Sequence, residues 1–206
     1  MGTTTYTSIY NRVKALCGIP APDANAQTQI TEYINRRAKL AYEATDFWPR
    51  WLVVGELRTY TPSTNIIPFT QATKSTIGKF IRIHKNYQPF LLNSSTEYEF
   101  YVTSLGAAVM GDGNVTSGSA YVTYKKDWDG PYTTEATNIP DEWEDYIAHG
   151  AYADWLRADG KNDVAAAEEG FAQNLLDSEL SGVDVVRSSG IVAQRISTHL
   201  NRSYRL

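Results

Sequence analysis

The chain has 206 residues, 42% of them hydrophobic and 12% aromatic, with a formal net charge of −4. This is enough apolar material for one large domain or two small ones with a real core, and it excludes a disordered chain. The acidic balance and scattered Lys and Arg argue against a reader of nucleic-acid sequence, and the single cysteine, Cys17, excludes an internal disulfide.

The charge is unevenly placed. Residues 1–128 carry 13 basic and 9 acidic side chains, residues 129–182 carry 2 and 13, and residues 183–206 carry 4 Arg and 1 Asp. An acidic segment followed by a basic tail is the main electrostatic feature; a well-solvated helix face with an incidental tail is the plain alternative.

In chain order, the opening stretch up to Lys14 lacks the apolar core of a signal peptide, and Tyr6 stands where myristoylation wants Ser or Thr. Residues 6–17 predict a first helix with Ile9, Val13 and Leu16 on one face and Gly18 as its stop. Cys17 on that face reads as a small buried thiol. The stretch from Ile19 to Pro22 is a stiff link. A second helix is predicted from about Ala24 to Thr45, with Ile30, Tyr33, Ile34, Ala38, Ala41 and Tyr42 inward and Arg36, Arg37, Lys39 and Glu43 mostly elsewhere. Trp48-Pro49 follows its end.

From Arg50 the pattern changes. Residues 51–60 read as a strand, and 65–70 as a second, which Pro68 confines to an edge. In 79–85, Phe80, Arg82 and His84 alternate with Ile81 and Ile83. Residues 89–92 read as extended. Residues 93–102 are ambiguous: Ser94 and Ser95 followed by acids favour a capped short helix, which is the expectation adopted, while the aromatic density favours a strand. Residues 120–128 form a last strand. The longest apolar runs, such as 51–54 and 107–110, are too short to cross a bilayer, so the expectation is a soluble protein of a reducing cytoplasm with no membrane partner.

The organising stretch runs from Asn138 to Gly182. It predicts two antiparallel helices joined by a tight turn. Pro140 suits a first helical turn, and Asp141, Glu142, Glu144 and Asp145 complement the helix dipole there. Trp143, Tyr146, Ile147, Ala151 and Trp155 make the first stripe. Gly160 ends that helix. Val164, Ala167, Phe171, Leu175, Leu176 and Leu180 make the second stripe, with Gly182 as its stop. Beyond it, Arg187-Ser-Ser-Gly190 reads as a hinge and 191–204 as a basic amphipathic helix, marginal alone and suited to docking. The expected fold is α+β: an antiparallel helical bundle from residues 1–49 and 138–182, an inserted small antiparallel β region at 50–137, and a C-terminal arm at 183–206.

No catalytic constellation emerges. His84, His149 and His199 stand in a strand, an acidic helix and the tail, and none has a triad-like or His-x-x-x-His context. The four acids at 141–145 invite a glycosidase reading, but such a pair normally comes from separated segments and the dipole explains the crowding. No metal pattern, Gly-rich phosphate loop or cofactor signature is present, so no catalytic, cofactor-binding or metal residue is assigned and no enzyme is expected.

The helix ending in an aromatic-Trp-Pro corner, the β middle, and the stretch from Ile139-Pro140 through Tyr146-Ile147 and Gly150-Ala151, followed by a second acidic helix with Phe171, resemble the head-to-tail adaptor (head completion, connector) proteins of tailed double-stranded DNA phages. The podophage tail tubular protein A and the siphophage adaptors share the plan. The resemblance covers about residues 6–182, and the segment from Ser94 to Phe100 is similar to an acidic-aromatic element of the siphophage type. It implies a structural virion protein in the tail neck, assembled from the host cytoplasm as a ring of usually twelve subunits. Its partners would be copies of itself, the portal protein and the next tail component (tail tube, nozzle or stopper). Genomic DNA would pass non-specifically through its channel. Asp141, Glu142, Glu144 and Asp145 are then candidate channel-facing acids that repel phosphates. Arg187, Arg195, Ile196, Leu200, Arg202, Tyr204 and Arg205 are the candidate portal-binding arm. The rival expectation is an aromatic-rich tail accessory or glycan-binding module, with Trp128 and Tyr132 as its exposed candidates.

Overall fold

The structure, a computed structural model, describes residues 2–60, 64–85, 97–110 and 118–203; beyond residue 183 it describes the backbone alone. The chain divides into two compact units, Met1–Thr45 with Asp129–Leu206, and Asp46–Trp128.

In the first unit, α1 (Tyr6–Cys17) starts where the Thr5 side chain accepts a hydrogen bond from Ser8 N, and it ends at Gly18, whose φ of 69° only glycine adopts without strain. Helix α2 (Ala24–Glu43) starts where the Asp23 carboxylate accepts from Ala26 N at 2.8 Å. Helix α3 (Glu144–Ala158) follows a 3-10 turn at Asp141–Trp143, and α4 runs from Asn162 to Ser203. Helices α1, α2 and α4 all pack on α3. That is why α3 is buried on several sides rather than along one stripe: Tyr146, Ile147, Ala148, Gly150, Ala151, Ala153, Asp154 and Leu156 are all inside. The small side chains let three neighbours approach. The fully buried Ile147 contributes about 1.5–3 kcal/mol. A two-stranded ribbon completes the unit: β1 (Thr3–Thr4) is antiparallel to β8 (Ile139–Pro140).

Among its described residues, the second unit holds six strands in two three-stranded antiparallel sheets. One has the order β2 (Leu52–Thr59), β7 (Ser119–Lys126), β4 (Ile77–His84); the other β3 (Ile66–Pro68), β6 (Gly106–Met110), β5 (Glu99–Thr103). Both sheets feed one apolar core that includes Ile67, Phe80, Ile83, Val109, Val122 and Tyr124. Arg58 is buried there too. Its Nη2 donates to Ser75 O and to the Tyr124 hydroxyl, each at 2.6 Å, and its Nε lies 2.7 Å from Glu56 Oε2.

The expectation of a helical bundle carrying a small β insertion is corrected by this architecture. Among the described residues the fold is mixed, with four α-helices and eight strands in three antiparallel sheets. The β part has its own core, and β1 and β8 add a third sheet to the helical unit. The expected short helix at 93–102 is a second correction. Within its described portion, Glu99–Thr103 is a strand registered against Gly106–Met110, because cross-strand pairing of aromatic and β-branched residues outweighs the local cap signal. Ser94, Ser95 and the extended piece at 89–92 lie outside the described residues. In β4 the expected alternation fails: Phe80, Ile83 and His84 are buried while Arg82 is exposed, since a register shift between Phe80 and Arg82 breaks the period of two.

Three corrections concern the organising stretch. Pro140 belongs to β8 and precedes the first helical turn. The inward face of α4 is Ala165, Ala172 and Leu176, which leaves Val164 and Phe171 about half exposed. Gly182 and the Arg187–Gly190 segment do not interrupt α4, whose 42 residues run through both. A helical glycine costs only about 1 kcal/mol, and no proline stands there to break the ladder.

Candidate functional site

Two features of the helical unit bear on function: a buried charge cluster that fixes the helices, and the surfaces that this fixing presents. Arg37 is only 3% exposed on α2. Its Nε donates to Asp154 Oδ2 at 2.8 Å and its Nη2 to Asp154 Oδ1 at 2.7 Å. Its Nη1 and Nη2 reach Glu169 of α4 at 2.7 and 2.5 Å. Arg157 adds bonds of 3.0 Å to both carboxylates. Burial works against the Arg37 charge, and its hydrogen bonds to Glu169 and Asp154 more than offset that, so the guanidinium is held more firmly protonated than usual. Arg37 in turn holds the Glu169 carboxyl below its ordinary range.

Arg37 corrects the expectation that it lies mostly off the packed face. The signal was present in the spacing: Ile30, Ile34, Arg37 and Ala41 recur at three and four, as do Ile147, Gly150 and Asp154. A cation and an anion both standing in apolar stripes point to a buried pair. The cluster also sets the rotation of α4, because Glu169 must face inward, and this turns Phe171 outward. Phe171 meets His149 edge-on at 4.7 Å, and His149 Nδ1 lies 2.9 Å from Glu168 Oε2.

The four candidate channel acids stand together at the start of α3 but differ in their surroundings. Glu144 accepts from the Ser8 hydroxyl at 3.0 Å, and Asp145 pairs with Arg12, so both are engaged by α1. Asp141 is exposed and accepts from the Glu142 backbone N–H at 3.0 Å. Burial, a hydrogen bond with Asp141 and the nearby charges of Asp141 and Glu179 raise the Glu142 carboxyl above its ordinary range. These acids are therefore two with partners from α1 and two beside like charge.

Of the arm candidates, Arg187, Arg195, Ile196, Leu200 and Arg202 lie on the backbone of α4, and Tyr204 and Arg205 lie outside the described residues. The glycan-binding expectation needed Tyr132 on the surface. Tyr132 is instead buried, its N–H donating to Asn35 Oδ1 at 2.6 Å and its hydroxyl to Asp129 Oδ1 at 2.8 Å. Burial raises the Cys17 thiol to about 11, an environment that suppresses the thiolate. Among the described residues, no group of three or more His, Cys, Asp and Glu side chains is placed to hold a metal, and no helix is long and apolar enough to cross a membrane. Comparison with protein-family models and with curated proteins finds no match for the chain.

Proposed function

We propose that the chain is a head-to-tail adaptor of a tailed double-stranded DNA phage. In this reading it is a structural subunit that forms a ring under the portal, extends the DNA channel and joins the next tail component. The observation that carries the reading is the mismatch between the last two helices. Helix α3 has 15 residues and α4 has 42. At 1.5 Å per residue these are about 22 and 63 Å long. With the 3-10 turn before it, α3 can flank α4 only to about residue 180. The remaining basic half continues α4 past the end of α3, and in this reading a surface on another molecule receives it.

That half carries Arg187, Arg195, Ile196, Leu200 and Arg202, with Tyr204 and Arg205 following, and it is the portal-docking arm of this proposal. Asp141, Glu142, Glu144 and Asp145 are its channel acids. A ring multiplies their charge, so the channel wall repels phosphates and lets DNA slide. The two acids already engaged by α1 contribute less of that field than Asp141 and Glu142. The subunit makes and breaks no bond; its work is cohesion.

Deletion of 187–206 tests the reading. The truncated protein is expected to keep its helical unit, as read by circular dichroism and a cooperative melt, and to lose binding to purified portal rings. Unchanged portal binding by a folded truncation removes the proposal.

A further inference from the structure

The sheet of β2, β7 and β4 has two outer strands, and they are protected differently. An outer strand presents N–H and C=O groups on which another chain can add, and charged side chains are a common defence. Strand β4 has that defence: Lys79 and Arg82 are exposed along it, and Lys85 just beyond it. Strand β2 does not. Its two charged side chains, Glu56 and Arg58, pair with each other at 2.7 Å, and Arg58 is fully buried. What β2 exposes instead is apolar, with Val54 at 43% and Leu57 at 46%.

The register of β2 decides which of its peptide groups face outward. Tyr60 N–H donates to Gly118 O at 2.9 Å, and the next residue back, Thr59, stands opposite Ser119. Residues of an antiparallel ladder bond the partner strand alternately. Thr59 and Leu57 therefore turn their N–H and C=O away from β7. At Thr59 those groups are taken: Gln71 Oε1 accepts from Thr59 N–H at 3.3 Å, and Gln71 Nε2 donates to Thr59 O. A carboxamide carries the donor and acceptor of a peptide group, so Gln71 makes the two bonds that an added strand would make. No described residue does the same at Leu57.

We propose that Gln71 is an edge guard, which fills the outward groups of Thr59 and so keeps β2 of one molecule from adding to β2 of another. With Gln71 in place a second chain finds only the two groups of Leu57, and two exposed hydrogen bonds are too weak to hold it. Without Gln71, Leu57 and Thr59 together offer four bonds beside the exposed Val54 and Leu57 side chains. Two such edges are self-complementary when antiparallel and close as a two-fold pair. This inference concerns the β unit alone and does not depend on the adaptor reading.

The test compares the full-length wild type with Gln71→Ala by sedimentation velocity and amide hydrogen exchange, each in dilute and in concentrated solution. Whatever assembly the wild type forms, its Leu57 amide should exchange at one rate at both concentrations. In Gln71→Ala the Thr59 amide should exchange faster than in wild type when dilute. On concentration, its Leu57 and Thr59 amides should slow by about tenfold, with a mass above that of wild type. Adding Thr59→Pro, at a position whose N–H the ladder does not use, removes one outward donor and should return the wild-type mass. Exchange at Leu57 and Thr59 of Gln71→Ala that ignores concentration overturns the proposal. So does equal slowing in the wild type, or association that survives Thr59→Pro. Gln71→Ser serves as the second variant, and failure of both variants to fold overturns it too, by assigning Gln71 to the fold and not to the edge.

Discussion

Gly150 of α3 lies against the Arg37 side chain of α2: a Cβ at position 150 would stand 2.8 Å from Arg37 Cδ and 3.0 Å from its Nε. Glycine inside a helix is disfavoured by about 1 kcal/mol against alanine, so its use here is spatial. Arg37 cannot swing aside, because its own Nε and Nη2 are bound to Asp154 and its Nη1 to Glu169. Gly150→Ala should therefore destabilise the helical unit by about 1–2 kcal/mol despite the better propensity. Urea unfolding followed by far-UV circular dichroism would check the sign.

Removing one member of the buried cluster should cost more. Arg37→Ala leaves Asp154 buried and without its main partner, a loss of about 3–5 kcal/mol. Arg37→Met combined with Asp154→Leu should recover most of it, since apolar pairs of similar volume often replace a buried ion pair without loss. Unfolding midpoints of the two single variants and the double variant would separate these outcomes.

The pH dependence of stability has two opposed contributions. Arg37 lowers the folded-state Glu169 carboxyl, so the stability from Glu169 is present above the ordinary carboxylate range and is lost as pH falls through its lowered value. Glu142 is raised, first by burial and then by Asp141 and Glu179. The folded state then prefers the protonated form, and stability falls as pH rises from the ordinary value through the raised one. Glu142→Gln should thus stabilise at neutral pH and have little effect in acid. Glu169→Gln should destabilise at neutral pH, with the difference narrowing in acid. Thermal melts of each variant across pH 3 to 8 (about the carboxylate and neutral ranges) would test both signs.

Gly106 opens β6 with a φ of 147°, and a Cβ there would overlap the Ile67 carbonyl oxygen. This is a close approach of two backbones that only glycine permits. Gly106→Ala should break the pairing of β3 with β6 and destabilise the β unit by at least about 2 kcal/mol. Hydrogen exchange should show faster exchange at Ile66, Ile67 and 106–110, with the amides of α3 unchanged.

Helices α1 and α2 were legible in the sequence from their periodicity, and Gly18 marks an end that the structure keeps. Strands β2, β4 and β7 were legible from β-branched and aromatic runs. The β5–β6 hairpin was not, because the sequence around Ser94 and Ser95 reads as a cap and only the partner strand, 106–110, decides Glu99–Thr103. Arg37 was hidden by its chemistry, since a charge at an apolar position reads as surface until its counter-ion, 117 residues away, is known. The rotation of α4 was hidden for the same reason: Glu169 faces inward for Arg37, and an apolar count alone puts Phe171 there instead. The stop at Gly182 overestimated glycine, which weakens a helix without ending it.

The helical unit is built from two separated stretches, 1–45 and 129–206, whereas the β unit is continuous from 46 to 128. Synthesis therefore delivers the β unit whole before α3 exists. Helices α1 and α2 emerge first yet must wait, with Ile9, Val13, Ile30 and Ile34 uncovered, until the ribosome has released residues past 156. Even the first strand, Thr3–Thr4, finds its mate only at 139–140. A nascent chain released from the ribosome only as far as residue 138 should accordingly hold a finished β unit and an unassembled, chaperone-prone beginning.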